Sequence, residues 1–326
     1  MPANVQTMAY YGQVPWHGLG KPVPKDLPAE QMIRAAGLDW RVDLRQARGA
    51  RQINKKGEFS RYEVVRMPRH GTPESEILLG VVSRRYQPLQ NVEAFQFFDP
   101  IVGEGKAYFE TAGALGEGER IWVMAKMPEA MKIVRGDDCF KYLLLSNTHT
   151  GEGSVTVKFT TVRVVCQNTL MLAMEDGQKA YHVRHSKIMQ FRLDELAEFL
   201  AITQDVFMKA EAEFKRLAKV AMIEKRLEHY LEAVFPRTEA QKKKGTYPPR
   251  WGFVEEVFET RPDLQLDGVR GTLWGAYNAI TAFEDYMQPQ QEELPDQRLE
   301  RTWYGSGADI KLKALLEATA LAAKWN

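Results

Sequence analysis

Ser154-Val-Thr-Val-Lys-Phe-Thr-Thr-Val-Arg-Val-Val-Cys-Gln-Asn-Thr169 alternates apolar and polar side chains with a period of two, the pattern of a β-strand with one buried face. Val155, Val157 and Phe159 hold one phase and Thr156, Lys158 and Thr160 the other. The phase changes at Thr160-Thr161, after which Val162, Val164 and Cys166 take the apolar positions. One residue accommodated there as a bulge would restore a single apolar face and place Thr156, Lys158, Thr160 or Thr161, and Arg163 together on the opposite side. Such a row suits a phosphate backbone, because lysine and arginine neutralise phosphate charge and threonine hydroxyls donate to its oxygens. It equally describes the ordinary wet face of a half-buried strand.

Outward from this strand, the segments Arg61 to Met67, Glu76 to Arg84, Ala107 to Ala112, Arg120 to Met127 and Tyr142 to Thr148 are rich in β-branched and aromatic residues, and glycine-containing turn signals separate them. One helix interrupts the strands at Asn91 to Pro100, with Asn91 as N-cap, Pro100 as stop and Val92, Phe95 and Phe98 on one face. After Ser186 the apolar period lengthens to three and four residues, as amphipathic helices require. Helices are expected from Leu193 to Ala221, Ile223 to Val234, Gly252 to Glu259, Thr272 to Met287 and Ala308 to Ala323. Arg237 to Arg250 reads as an exposed basic loop.

The fold class is therefore α+β: a curved antiparallel sheet or meander with a packed helix, followed by an α-helical C-terminal region. Three regions are expected: an N-terminal arm with small α/β elements at 1–60, an antiparallel β core with one helix at 61–186, and a helical region at 187–326 containing the basic loop 237–250.

The whole chain, 326 residues with 44% hydrophobic and 27% charged side chains, has the composition of a globular protein rather than a disordered one. No window reaches the length of a membrane-spanning helix and the N-terminus lacks a signal-peptide pattern, so the expected address is a reducing cytoplasm, with no membrane partner. A net charge of +1 names no partner, but it hides asymmetry. Residues 1–190 carry 25 basic and 20 acidic side chains, residues 201–250 carry 11 and 7, and residues 251–300 carry 3 and 11. Cations in the first two thirds include Arg84 and Arg85 beside Tyr86, and Arg120 and Lys126 flanking Trp122. Basic residues interleaved with aromatics hold single-stranded nucleic acid, each stacked base contributing roughly 1 to 3 kcal/mol.

Catalytic alternatives are thinner. Cys166 with Asn168 and either His182 or His185 has the residue types of a cysteine nucleophile, an orienting amide and a base, yet Cys166 falls on the apolar phase of its strand. His182 and His185 lack the companion ligands of a zinc site, so no metal is expected. Gly18-Leu-Gly-Lys21 and Gly103-Glu-Gly-Lys106 do not continue into a nucleoside-triphosphate loop, and no cofactor is expected.

Several motifs together resemble a phage- and plasmid-borne protein family of unknown function. They are Pro15-Trp-His-Gly-Leu-Gly20, Arg85-Tyr86-x-Pro88-x-x-Asn91, Phe109-Glu-Thr-Ala-Gly113, Lys158-Phe-Thr-x-x-Arg163-Val-Val-Cys-Gln-Asn168, Leu273-Trp-Gly-Ala-Tyr277 and Trp303-Tyr-Gly-Ser-Gly307. The order of a helix and an antiparallel meander is also distantly similar to single-strand annealing recombination proteins of the Rad and Red-beta type. That similarity implies a homo-oligomeric ring or filament that holds single-stranded DNA and anneals it without nucleotide hydrolysis. The expected contacts are Lys158, Thr160 and Arg163 to phosphates, Arg84, Arg85, Arg120 and Lys126 extending the track, and Tyr86 stacking a base. Two other readings stay open: the cysteine-dependent enzyme, and a factor that binds a host protein through the acidic stretch between Glu255 and Glu300.

Overall fold

The computed structural model of the chain describes residues 4–12, 14–15, 18–47, 61–69, 71–163, 169–171, 181–186, 189, 193–195, 203–287 and 298–325, with the backbone alone at 163, 169–171, 203–204 and 298–299. The first elements are β1 (Val5–Tyr10), β2 (Lys21–Pro22), α1 (Ala29–Ala35), β3 (Val42–Gln46), β4 (Arg61–Arg66) and β5 (Ile77–Ser83). Two short helices, α2 (Asn91–Gln96) and α3 (Asp99–Val102), lead to β6 (Tyr108–Leu115), β7 (Arg120–Lys126), β8 (Met131–Val134), β9 (Asp137–Thr148), β10 (Val155–Arg163), β11 (Thr169–Met171) and β12 (Tyr181–Val183). Helices follow: α4 (Thr203–Leu217), α5 (Glu224–Val234), α6 (Glu239–Lys244), α7 (Pro249–Thr260), α8 (Leu273–Ala282), α9 (Arg298–Trp303) and α10 (Ser306–Trp325).

The α+β class and the helical C-terminal region are as the sequence patterns predict. A nine-stranded sheet has the order β11-β10-β9-β7-β6-β1-β2, with β8 on β9 and β12 on β10; β3-β4-β5 form a second, antiparallel sheet. Every pair whose register is described is antiparallel except β1 with β2, a two-residue parallel contact.

The chain divides into two compact units. One comprises Met1–Pro128, Tyr142–Lys158 and Ala180–Thr203. Its core is β6 against β7, where Ile121, Trp122, Val123 and Ala125 are all buried because both faces of the strand are covered. Gly113 makes that packing geometrically feasible: a Cβ there would come within 2.4 Å of both the Trp122 ring and the Thr7 carbonyl. Helices α1 and α2 pack on each other, α1 also on β6 and α2 on β7.

The second unit comprises Glu129–Lys141, Phe159–Lys179 and Gln204–Asn326. Phe214 of α4 lies 4.7 Å from the Trp274 ring of α8, whose indole donates to Asp137 at 2.7 Å. The Tyr230 hydroxyl of α5 donates to the Ala314 carbonyl of α10 at 2.8 Å, satisfying a polar tip that burial would otherwise strand.

Four local expectations are corrected. The helix predicted over 91–100 is two helices, because Pro100 falls in the first turn of α3, where a missing N–H costs nothing. Val92 is 52% exposed, and Ala94, Phe95 and Phe98 carry the buried face. The start of α2 is closed by the Gln90 amide donating to Glu93 at 2.6 Å, with Asn91 inside the helix rather than capping it. The basic loop 237–250 contains α6, which the Thr238 hydroxyl caps at Gln241 and Gly245, at φ 63°, ends in the left-handed conformation.

Candidate nucleic-acid interface

Strand β10 does not present the expected outward row. Lys158 is 3% exposed, Thr160 2% and Thr161 0%, while Val157 and Phe159 on the opposite phase are equally buried. The physical reason is position: β10 is an interior strand, with β9 along one edge and β11 and β12 along the other, and both of its faces are covered from Val157 to Thr161. Phe159 meets Phe207 of α4 with ring centroids 5.6 Å apart. Val155 to Val157 pair with β12 and Thr160 to Val162 with β11, and the β11 pairing keeps its register across Thr160-Thr161, where a bulge was expected. The Arg163 side chain, Cys166 and Asn168 lie outside the described residues.

The remaining expected contacts separate into distinct environments. Lys126 is held by Glu110 at 3.0 Å and lies 5.6 Å from the Tyr142 ring centroid, so its charge is already neutralised. Arg120 is half-buried, with Nη1 donating to the Ser146 hydroxyl at 3.5 Å. The two occupy opposite ends of β7, roughly 20 Å apart at a strand's rise per residue, and so do not form one continuous track. Trp122 is core, its indole donating to Thr111 at 3.3 Å.

Arg84 and Arg85 are exposed, in the turn that follows β5. The Tyr86 amide closes this turn on the Ser83 carbonyl at 3.1 Å, and the Tyr86 ring points inward, 6% exposed, rather than outward to stack a base. It stacks on His185 with centroids 4.6 Å apart and planes 27° apart, and its hydroxyl donates to the Thr148 carbonyl at 3.3 Å. Burial raises the Tyr86 pKa, so the hydroxyl stays protonated.

The next residue completes a clasp. Its amide donates to the His185 carbonyl at 3.3 Å, and the Gln87 carbonyl accepts from His185 Nδ1 at 3.0 Å. A carbonyl only accepts, so Nδ1 carries the proton. Burial lowers the His185 pKa, which keeps the ring neutral at pH 7. Two chain segments distant in sequence are thereby locked side by side. The clasp brings Arg184, exposed just beyond β12, to the turn that carries Arg84 and Arg85. Neither Arg85 nor Arg184 has an ion-pair partner among the described residues.

Behind the clasp lies a buried polar cluster that the sequence reading missed. His149, 0% exposed, bonds Asn91 through Nε2 at 3.2 Å. Asn91 Nδ2 donates to the Leu38 carbonyl at 2.9 Å, which fixes Oδ1 as the acceptor; Nε2 then carries the proton, and Asn147 Nδ2, 3.4 Å from the same nitrogen, faces it without a hydrogen bond. Asn147 donates to the Leu89 carbonyl at 3.3 Å. Burial, and secondarily the neighbouring His185 ring, pushes the His149 pKa down to about 3. His149 Nδ1, His185 Nε2, Asn147 Oδ1 and Thr148 Oγ1 are buried without a hydrogen-bond partner among the described residues. The Arg85-Tyr86-x-Pro88-x-x-Asn91 motif held the signal for this cluster, since its Tyr86 and Asn91 both bond inward to the end of β9.

His182, by contrast, is exposed and shares its Nδ1 between the Ser154 and Thr156 hydroxyls at 3.1 and 3.3 Å. Among the described residues no group of three or more His, Cys, Asp or Glu side chains is placed to hold a metal ion, and no helix is long and apolar enough to cross a membrane.

No curated protein and no solved structure matches the chain. The family model for the domain of unknown function DUF932 matches residues 78–303, a span that begins in β5, covers the arginine turn, the clasp and the buried cluster, and takes in more than half of the chain, which therefore belongs to the DUF932 family.

Proposed function

We propose that this protein binds single-stranded DNA and anneals complementary strands as a homo-oligomer, the strand being held by Arg84, Arg85 and Arg184. One observation carries the proposal: the Gln87–His185 clasp joins the segment that bears exposed Arg184 to the segment that bears exposed Arg84 and Arg85, and Arg85 and Arg184 have no carboxylate partner among the described residues. A guanidinium presents donors in a fork that matches phosphate oxygens, and anchoring its backbone on a rigid clasp lowers the entropy lost on binding. Lys158 and Thr160, being buried, and Lys126, being paired with Glu110, are not part of this interface.

Fluorescence anisotropy with a labelled oligonucleotide tests the reading. The wild-type protein is expected to bind at low salt, and the triple variant Arg84→Ala/Arg85→Ala/Arg184→Ala to lose at least about tenfold in affinity with its fold intact by circular dichroism. Absence of binding at low salt, or equal binding by the triple variant, refutes the proposal. Annealing of two complementary labelled strands, and rings or filaments in particle images, test the oligomeric part separately.

A further inference from the structure

The helical unit contains a second binding feature of opposite sign. A cleft of about 860 Å³ opens between α5, α7 and the turn at 245–249. Its floor is apolar, built from Met222, Leu227, Trp251 and Phe258, each buried to 8% exposure or less. Its rim is acidic: Glu224 and Glu228 lie one turn apart on α5, and Glu255 and Glu259 one turn apart on α7. Glu228 accepts the Tyr247 hydroxyl at 3.3 Å, and none of Glu224, Glu255 and Glu259 has a cationic partner among the described residues. Burial and then the charges of Glu228 and Glu224 raise the Glu255 pKa. Like charges at this spacing oppose folding, so a cation supplied from outside would relieve a repulsion the chain leaves uncompensated.

The aromatic end of the cleft supplies an independent indication of what the cation is. Tyr247 and Trp251 stand with ring centroids 5.0 Å apart, and the guanidinium of Arg237 already lies 5.1 Å from the first and 5.6 Å from the second. The same pair of rings therefore holds a guanidinium within the chain. Two carboxylate pairs on separate helices call for several cations in one ligand, and the apolar floor suits the methylene stems of long basic side chains. We infer that this cleft is the docking site for an arginine-bearing basic peptide segment of another protein, with guanidinium groups between the glutamate pairs and their stems on Leu227 and Phe258.

The test uses the full-length protein and a fluorescein-labelled heptapeptide alternating arginine and glycine, followed by anisotropy at low ionic strength. The expected result is saturable binding that falls at least about tenfold in E224Q/E228Q/E255Q/E259Q. A control of equal charge change at exposed positions elsewhere, E104Q/E129Q/E152Q/E195Q, should stay within about twofold of wild type. No binding, or equal loss in both variants, overturns the inference, the second because it would reveal only general attraction to an acidic surface. Displacement of the peptide by spermine at matched concentration also overturns it, in favour of a small polycation. Should the quadruple variant fail to fold, Glu255→Lys at an exposed position gives the same readout with a single change.

Discussion

His149 ties the end of β9 to Asn91, at the start of α2. Its ring is fully buried and neutral, with Nε2–H spent on Asn91 and Nδ1 facing no hydrogen-bond partner among the described residues. In the unfolded chain its pKa returns to the ordinary value near 6.5, whereas the fold holds it at about 3. Between those values the unfolded state binds a proton that the folded state refuses. Stability is therefore complete above about pH 6.5 and falls as the pH drops toward 3, at up to about 1.4 kcal/mol per unit for this one group. His185, lowered in the same direction by its burial, steepens the fall. Urea midpoints at pH 7.5 and pH 5 are expected to separate clearly for the wild type and less for His149→Leu. At pH 7.5 that variant should be weaker by roughly 1 to 3 kcal/mol because Asn91 Oδ1 loses its donor. An unchanged pH dependence in the variant would mean that other groups set it.

Among the elements, α8 and the turn that extends it carry two buried carboxylates paired with cations of α9 and α10. The helix continues past Ala282 as a π turn, Phe283–Met287, which brings Glu284 and Asp285 inside. Asp285 receives the ammonium of Lys311 from α10 at 2.7 Å, and Lys311 is 0% exposed; Glu284 receives Arg301 at 2.7 Å. Removing one member of such a pair leaves a buried charge without its counter-ion. Asp285→Ala is expected to cost about 3 to 5 kcal/mol in denaturant unfolding, whereas Asp285→Leu/Lys311→Met should recover most of that loss. A double variant as unstable as the single one would show that the pair contributes more than mutual compensation. Elements of this kind explain what the sequence made legible and what it hid. Strands β4 and β5 and helices α5, α7, α8 and α10 were readable because a period of two or of three to four residues records which side is buried, and β7 and β10 because they are runs rich in β-branched and aromatic residues. Strands β1, β3, β8, β11 and β12 are short or broken by polar residues, and α6 rests on a capping box inside a run of lysines, so periodicity is too brief to register them. For the site, the Arg84-Arg85-Tyr86 run was visible, but the alternation of β10 was misleading. A strand covered on both faces can still alternate in polarity, and buried Lys158 and Thr160 beside buried Val157 and Phe159 show this. Arg184 and His149 were invisible for a different reason: they join the turn through contacts across a long sequence separation, which a one-dimensional pattern does not record.

At the scale of the whole molecule, 44 basic side chains against 43 acidic ones would suit either a diffuse cationic surface offset elsewhere or a largely self-neutralised one. The ion pairs favour the second. Arg34 is paired with Glu30, Arg45 with Glu76, Lys126 with Glu110 and Arg237 with Glu232, all within 3.0 Å, so part of the formal positive charge is paired within the chain. If the chain holds single-stranded DNA as proposed, it should engage few phosphates, and the number is measurable. Each phosphate neutralised on a single strand contributes about 0.7 to the slope of log K against log salt. Three arginines predict a slope near −2 per bound protomer, and each single Arg→Ala change among Arg84, Arg85 and Arg184 should flatten it by about 0.7. Neutralising the glutamates of the acidic cleft should leave the slope alone, because those groups contact no phosphate. A wild-type slope of −5 or steeper would instead require a broad cationic surface drawing on lysines and arginines beyond the clasped turn, and it would move the interface away from Arg84, Arg85 and Arg184.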